Sequence, residues 1–223
     1  RAYVGRRGGE LTVALEGEIL TKHPLEQLQA VYIFGAVQMS TQAVQGCLER
    51  SVPIAYFSPA GRFLGLTSGL PSSGTDARQG QYRLFGEPGL RAKLAASILS
   101  AKIHNQRVLL MRNGDAPKTA LEQLASLRDQ AGSGDYTLDS LRGIEGRAAA
   151  LYFEHFGTML KGTAFENFDF NGRNRRPPKD PVNALLSQGY SILAKELTGM
   201  CHAVGLDPFL GFLHQPRYGR PAL

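Results

Sequence analysis

Two residues that lie far apart in the chain have side chains suited to binding a metal ion. The first is Glu145, which helical spacing places beside Leu141 and Ala148 on the inner face of a predicted helix. A carboxylate in that position needs an ion-pair partner, a proton or a metal ion, because an uncompensated buried charge is unfavourable. The residue type leaves open a salt bridge to an arginine of a neighbouring helix.

Gly143 and Gly146 lie on either side of Glu145. Glycine inside a helix costs about 1 kcal/mol relative to alanine. Two such residues beside one acid predict that another backbone or a ligand comes close to the helix at this point.

The second residue is His214, which follows the turn Gly205–Pro208 and a short apolar run, so we expect it on a loop beside the core. A neutral imidazole is a common metal ligand, although a single histidine is also compatible with an ordinary surface or core position. Arg217 and Arg220 come directly afterwards and would favour a phosphate near a neutral histidine.

A basic segment, Asn171–Asp180, combines two prolines with four cationic side chains. Arginine forks match phosphate oxygens, so the segment is compatible with a phosphate-contacting loop and equally with a solvated one. Further cations lie on or near the first long predicted helix, and they are Arg83, Lys102, Arg107 and Arg112.

The elements that must position these residues divide the chain into two parts. Residues 1–68 predict a β-rich domain of short strands and one helix, which Ser40 or Thr41 can cap. Residues 69–80 predict a linker, and residues 81–223 predict a helical domain. We therefore expect an α+β protein, a small β domain followed by a larger all-helical one. The apolar stripe predicted for the first long helix consists of Leu90, Leu94, Ile98 and Ala101.

Composition narrows the class of protein. The 223 residues are 43% hydrophobic and 20% charged, as in soluble globular proteins, and the net charge of +6 favours anionic partners such as nucleic acid. Cys47 and Cys201 lack metal-binding spacing, which indicates reduced thiols and a cytoplasmic protein. No apolar run approaches the ~18 residues of a membrane span, and no P-loop, GxGxxG or nucleophile-elbow pattern is present.

Several segments in order resemble the CRISPR-associated integrase family of the spacer adaptation machinery. The segments that resemble its β domain and linker are Phe34–Ala43, Ser51–Phe57, Gly61–Gly65 and Gln81–Arg83. Those that resemble its helical domain are Lys102–Arg107, Gly143–Gly146, Arg175–Asn183 and Gly205–His214. Together they extend over essentially the whole chain.

The resemblance implies a β-sandwich domain that dimerises and a helical domain that binds Mg²⁺ or Mn²⁺. It implies Glu145 and His214 as catalytic metal ligands, with a third ligand, an aspartate, expected after Leu223. Tyr3-Val4 is typical of the middle of a strand, so we expect sequence to be missing at both ends. The DNA-contacting residues that the resemblance and the charge pattern indicate are Arg83, Lys102, Arg107, Arg173, Arg175, Arg176, Asn183, Arg217 and Arg220.

The activity implied is that of an endonuclease and integrase that inserts captured double-stranded DNA into a CRISPR repeat array by transesterification. The partners implied are a second copy of the chain, a small ferredoxin-like adaptation subunit and an exonuclease, fused upstream or associated. One alternative is a DNA-binding scaffold with an incomplete active site. Another is an unrelated metal-dependent phosphodiesterase with a β-rich appendage, in which Glu145 and His214 would lie apart.

Overall fold

A computed structural model shows a strand-rich first part and a helical remainder, so the α+β class is confirmed. The residues that the structure describes are 2–59, 61, 63–69, 74–134, 136–162, 170–175, 177–216 and 221–223. By contact they form two compact units, Arg1–Thr75 with Lys195–Leu206, and Asp76–Ala194 with Asp207–Leu223. The β unit thus includes the end of the last long helix, which the sequence assigns to the helical domain.

Two sheets form the first unit. The strands are β1 (Ala2–Arg7), β2 (Glu10–Leu15), β3 (Glu18–Pro24), β4 (Val31–Phe34), β5 (Gln38–Met39), β6 (Ile54–Phe57) and β7 (Phe63–Thr67). One sheet has the order β3-β2-β1-β5 and the other β4-β6-β7. The pairs β1–β2, β2–β3 and β6–β7 are antiparallel, whereas β1–β5 and β4–β6 are parallel.

Helix α1 (Thr41–Glu49) lies in the connection from β4 to β6, because parallel strands need a crossover. Ser40 caps it, its hydroxyl accepting the Ala43 N–H at 3.1 Å, which confirms one of the two predicted caps. Cys47 is fully buried in the core that α1 shares with both sheets. Burial raises the pKa of the Cys47 thiol, as expected for a structural cysteine.

Within the described residues, five long helices follow the strands. They are α2 (Thr75–Gly86), α3 (Pro88–Asn113), α4 (Lys118–Gly132), α5 (Leu138–His155) and α6 (Pro181–Ala203). α2 begins inside the range 69–80 in which the sequence predicts a linker. Short 3₁₀ segments lie at Leu25–Gln27 and Phe156–Met159.

The buried face of α3 differs from the predicted one. Leu90 and Ile98 are exposed, whereas Ala95 and Leu99 are buried in the core with residues of α4 and α5, and Arg91 is buried on the same side of α3. The prediction failed because α3 carries apolar residues on several sides, and small alanines form the closely packed side. On α6, Leu185, Leu193 and Leu197 are at least half exposed.

No helix in the described part of the chain combines the length and apolar character needed to cross a membrane.

Candidate active site around Glu145

Glu145 lies in the middle of α5, whose start is well defined. Thr137 caps the helix, because its hydroxyl accepts the Ser140 N–H at 3.2 Å. Leu141, Ile144 and Ala148 then face the core. Glu145 lies at the edge of this face with 18% of its side chain exposed, so it is shielded by the protein but still open to a ligand.

The first partner of Glu145 comes from α3. The Lys102 ammonium donates a hydrogen bond to Glu145 Oε1 at 2.6 Å. From the sequence, one possible partner of Glu145 is an arginine of a neighbouring helix. In the structure the partner is a lysine, Lys102. Such a short charge-assisted bond is strong for its class.

The second partner is the imidazole of His214. Its Nε2 lies 3.6 Å from Glu145 Oε2, although 69 positions separate the two residues in the chain. The two predicted ligands therefore converge on one point. This convergence contradicts the hypothesis of an unrelated phosphodiesterase, which requires them to lie apart.

The spacing of these two side chains fits a divalent cation. Mg²⁺ holds its ligands at about 2.1 Å in an octahedron, so ligand atoms lie about 3.0 Å apart when adjacent and about 4.2 Å apart when opposite. The 3.6 Å between Glu145 Oε2 and His214 Nε2 lies between these two values, so a movement of about 0.6 Å would bring the two atoms to adjacent positions around one ion. Within the described residues, no group of three His, Cys, Asp or Glu side chains assembles, so these two ligands form an incomplete set.

The predicted close approach at Gly143 and Gly146 is not observed. A Cβ atom added to either glycine would meet no described atom within 4 Å. The α5 surface at these two glycines is therefore open, and another backbone does not occupy it within the residues described. The space remains available to a ligand.

Gln81 of α2 anchors the start of the segment that carries His214. The Gln81 amide Nε2 donates to Asp207 O at 2.8 Å and to Leu210 O at 3.0 Å. Its Oε1 accepts the Asp207 N–H at 2.8 Å. Gln81 is buried, so these three bonds hold the turn after α6 in one register.

Arg91 of α3 and Arg142 of α5 anchor the end of the same segment. Arg91 Nε donates to Phe212 O at 2.8 Å and its terminal nitrogen to Gly211 O at 3.2 Å. Arg142 donates to Leu213 O at 3.2 Å. Burial lowers the pKa of the Arg91 guanidinium, and the nearby Arg142 cation adds to this effect. These arginines fix the backbone up to the residue before His214.

The functional role of Gln81, Arg91 and Arg142 is missed by reasoning from the sequence. The sequence signal that could have revealed Arg91 is its i, i+4 spacing with Ala95 and Leu99, because the three residues form the buried face of α3.

All 223 residues match the family model described as CRISPR associated protein Cas1. The chain belongs to the Cas1 family. It is 42% identical, over its whole length, to a CRISPR-associated exonuclease Cas4/endonuclease Cas1 fusion of Geobacter sulfurreducens, of which it covers 41%. It is 37% identical, again over its whole length, to a CRISPR-associated endonuclease Cas1 of Thermus thermophilus, of which it covers 65%. The chain thus spans less than two thirds of either relative.

Solved structures of the Cas1 family share the fold. A Cas1 protein from Thermotoga maritima matches 99% of this chain, and the chain covers 69% of it, with a TM-score of 0.80 at 23% identity. A Cas6-RT-Cas1–Cas2 complex matches 99% of this chain, and the chain covers 24% of it, with a TM-score of 0.77 at 29% identity. The predicted resemblance is confirmed.

Four of the cations predicted to contact DNA remain near the surface of this Cas1-family chain. Arg83 is exposed and pairs with Glu87 at 3.2 Å. Arg107 is half-buried and donates to Leu121 O at 3.0 Å, which ties α3 to α4. Lys102 is the partner of Glu145. Arg175 is exposed.

Two other residues predicted to contact DNA, Asn183 and Arg173, belong to a network of hydrogen bonds within the basic segment and the start of α6. Asn183 is fully buried, and its Oδ1 accepts from Arg173 at 2.7 Å and from the Asn174 N–H at 3.0 Å. Its Nδ2 donates to Gly172 O at 2.9 Å and to Asp180 Oδ2 at 2.7 Å. Asn183 therefore presents no polar atom to the surface, and the structure gives it the role of shaping the basic loop.

The surroundings of this network lower the pKa values of two charged groups, Arg173 and Asp180. Burial lowers the pKa of Arg173, assisted by the Arg175 cation. Desolvation raises the pKa of Asp180, but hydrogen bonds from Asn183 and Asn174 outweigh it and leave that pKa below its ordinary value. Three predicted DNA contacts, Arg176, Arg217 and Arg220, lie outside the described residues.

Proposed function

We propose that the protein containing this chain is a metal-dependent DNA endonuclease and integrase, which inserts captured DNA fragments into CRISPR repeat arrays. The observation that carries the proposal is the convergence of Glu145 and His214 in a chain of the Cas1 family. The names of the Geobacter and Thermus relatives, both endonucleases, support it.

Glu145 and His214 would hold the metal ion, Mg²⁺ or Mn²⁺, together with an aspartate that the resemblance places after Leu223. A carboxylate oxygen is the ligand that Mg²⁺ prefers, and imidazole is acceptable to Mn²⁺. When bound, such an ion polarises phosphate oxygens and lowers the pKa of an attacking hydroxyl.

The reaction proposed is a transesterification that needs no external energy. The 3′ oxygen of the captured fragment forms a new ester bond to phosphorus, and the bond from phosphorus to the 3′ oxygen of the cut strand breaks. The attacking hydroxyl loses its proton and the departing oxygen gains one, so the step is balanced. Exposed cations such as Arg83 and Arg175 would hold the DNA backbone by its phosphates.

The partners proposed are double-stranded DNA, a second copy of the chain, a small ferredoxin-like subunit and an exonuclease. The Cas6-RT-Cas1–Cas2 complex, which contains a second adaptation protein, supports the subunit. The Geobacter relative, a fusion with the exonuclease Cas4, supports the exonuclease. We place the protein in the cytoplasm, since both of its cysteines are free.

The test is joining of a labelled short duplex to a repeat-containing plasmid by the full-length protein in Mg²⁺ or Mn²⁺. Glu145→Gln and His214→Asn each remove one metal-binding atom, and Glu145→Gln does so at nearly constant volume. The matched controls are Glu154→Gln, an exposed acid on the same helix, and His104→Asn, an exposed histidine on α3.

We expect both site variants to lose joining by more than about 100-fold, because metal sites lose up to that factor from supporting residues alone. We expect both site variants to retain DNA binding, measured by a gel-shift assay, and both control variants to join DNA at the normal rate. Joining at the normal rate by Glu145→Gln or His214→Asn would refute the site. Binding without joining by the unaltered protein would support the DNA-binding scaffold instead.

A further inference from the structure

Lys102 occupies the Glu145 oxygen that does not face His214. Its Nζ lies 2.6 Å from Oε1, whereas His214 Nε2 lies 3.6 Å from Oε2. The Glu145 side chain is 18% exposed and the Lys102 side chain 46% exposed. Glu145 is therefore shared between two groups, and Lys102 has the closer contact.

We infer that Lys102 is a positioning residue whose ammonium orients the Glu145 carboxylate and competes with a divalent cation for it. The inference rests on the proposed function, because it concerns the same carboxylate. An ammonium and a metal ion are both attracted to the negative charge of the Glu145 carboxylate. Two cations at one carboxylate repel each other, so the binding of one weakens the binding of the other.

The half-exposed position of Lys102 makes exchange possible. Its ammonium is a compact charge on a flexible four-carbon stem, so it can swing away without moving α3. The surface of α5 at Gly143 and Gly146, on the helix that carries Glu145, is open. A DNA phosphate brought to that surface would offer the displaced ammonium a new partner. Metal and DNA would then each assist the binding of the other through Lys102.

The first test measures Mn²⁺ affinity of the chelator-treated full-length protein without DNA, by electron paramagnetic resonance of the free ion. Lys102→Met keeps the apolar stem and removes the charge. We expect Mn²⁺ to bind roughly 3- to 10-fold more tightly, since a half-exposed ion pair is worth less than a buried one. Lys102→Arg, which retains the charge, should bind Mn²⁺ within about 2-fold of the unaltered protein.

The matched control is Arg147→Met, which removes an exposed cation two residues further along α5. We expect it to change Mn²⁺ affinity by less than about 2-fold, because exposed charges not in contact are screened. Equal effects of Lys102→Met and Arg147→Met would overturn the inference, as would unchanged or weaker binding by Lys102→Met.

Glu145→Gln separates this inference from the proposed function. Loss of Mn²⁺ binding by Glu145→Gln, with no effect of Lys102→Met, refutes the competition alone. Unchanged Mn²⁺ binding by Glu145→Gln refutes the metal site itself.

A second readout uses the unaltered protein and so does not depend on the folding of a variant. Acetylation of lysines, followed by mass spectrometry, reports whether each amine is free. We expect Mg²⁺ to speed the acetylation of Lys102 and to leave Lys118 unchanged, a lysine 89% exposed beside Glu122. Acetylation of Lys102 that is unchanged or slower in Mg²⁺ would overturn the inference.

Discussion

The contacts of Arg91 allow a quantitative prediction for the loop that carries His214. Arg91 is 9% exposed, and it donates one hydrogen bond each to the carbonyl oxygens of Phe212 and Gly211. Its guanidinium also lies 4.1 Å from the centroid of the Phe85 ring. Arg91→Met keeps most of the buried stem and removes all three interactions.

The expected cost follows from these contacts. Each buried carbonyl left without a donor costs about 1–3 kcal/mol, and a cation–π contact is worth about 0.5–2 kcal/mol. These values add to about 2.5–8 kcal/mol, and water that reaches the freed carbonyls reduces the loss, so we expect Arg91→Met to lower the free energy of unfolding of the helical unit by about 3–5 kcal/mol. Because a single domain is stable by only about 5–15 kcal/mol, the variant should remain folded near room temperature with reduced stability.

Two measurements check this prediction. Urea unfolding, followed by circular dichroism, gives the loss of stability. Hydrogen exchange gives the local effect. In the variant, the amides of residues 210–214 should exchange faster than in the unaltered protein, whereas the exchange of amides in the middle of α4 should change less. Mn²⁺ affinity should fall as well, because His214 loses its fixed position. Arg128→Met, at a half-buried arginine of α4, is the control. A stability loss below about 1 kcal/mol with unchanged exchange would refute the anchoring role of Arg91.

Two further predictions concern the surface near the site. Gly143→Ala and Gly146→Ala should each raise the free energy of unfolding by about 0.5–1 kcal/mol, because the added methyl groups meet no described atom; destabilisation in urea would contradict this. Arg175→Gln should reduce the slope of log DNA affinity against log salt by about 0.9, the value for one phosphate contact. Arg173→Gln should instead lower thermal stability, because this arginine holds Asn183; equal effects of the two variants on the slope would contradict the distinction.

The start of α1 is predicted from sequence because capping is local. Ser40, one of the two predicted caps, caps α1 through its own side chain, and Thr137 caps α5 in the same way. The inner face of α5 is also predicted, since its apolar residues follow one clear stripe. In α3 several sides are apolar, and neighbouring helices decide which side is buried. The i, i+4 series that begins at Arg91 is therefore overlooked.

The candidate site is less accessible from sequence, because its members come from distant segments. Nothing in the spacing of Glu145 and His214 brings them together, and only the family resemblance pairs them. Lys102 is predicted as a DNA contact on account of its charge, while its position beside Glu145 depends on the packing of α3 against α5. Asn183 is predicted to contact DNA because it follows the basic segment in the sequence, but tertiary contacts bury its side chain.

The proposed function requires Glu145 and His214 to bind one divalent cation. Anomalous diffraction from a crystal of the full-length protein soaked in Mn²⁺ locates that ion directly. We expect a single strong peak within coordination distance of a Glu145 oxygen and of His214 Nε2, with the Lys102 ammonium displaced from the carboxylate. A Mn²⁺ peak elsewhere, with the Lys102–Glu145 pair intact and His214 without a metal, would contradict the account.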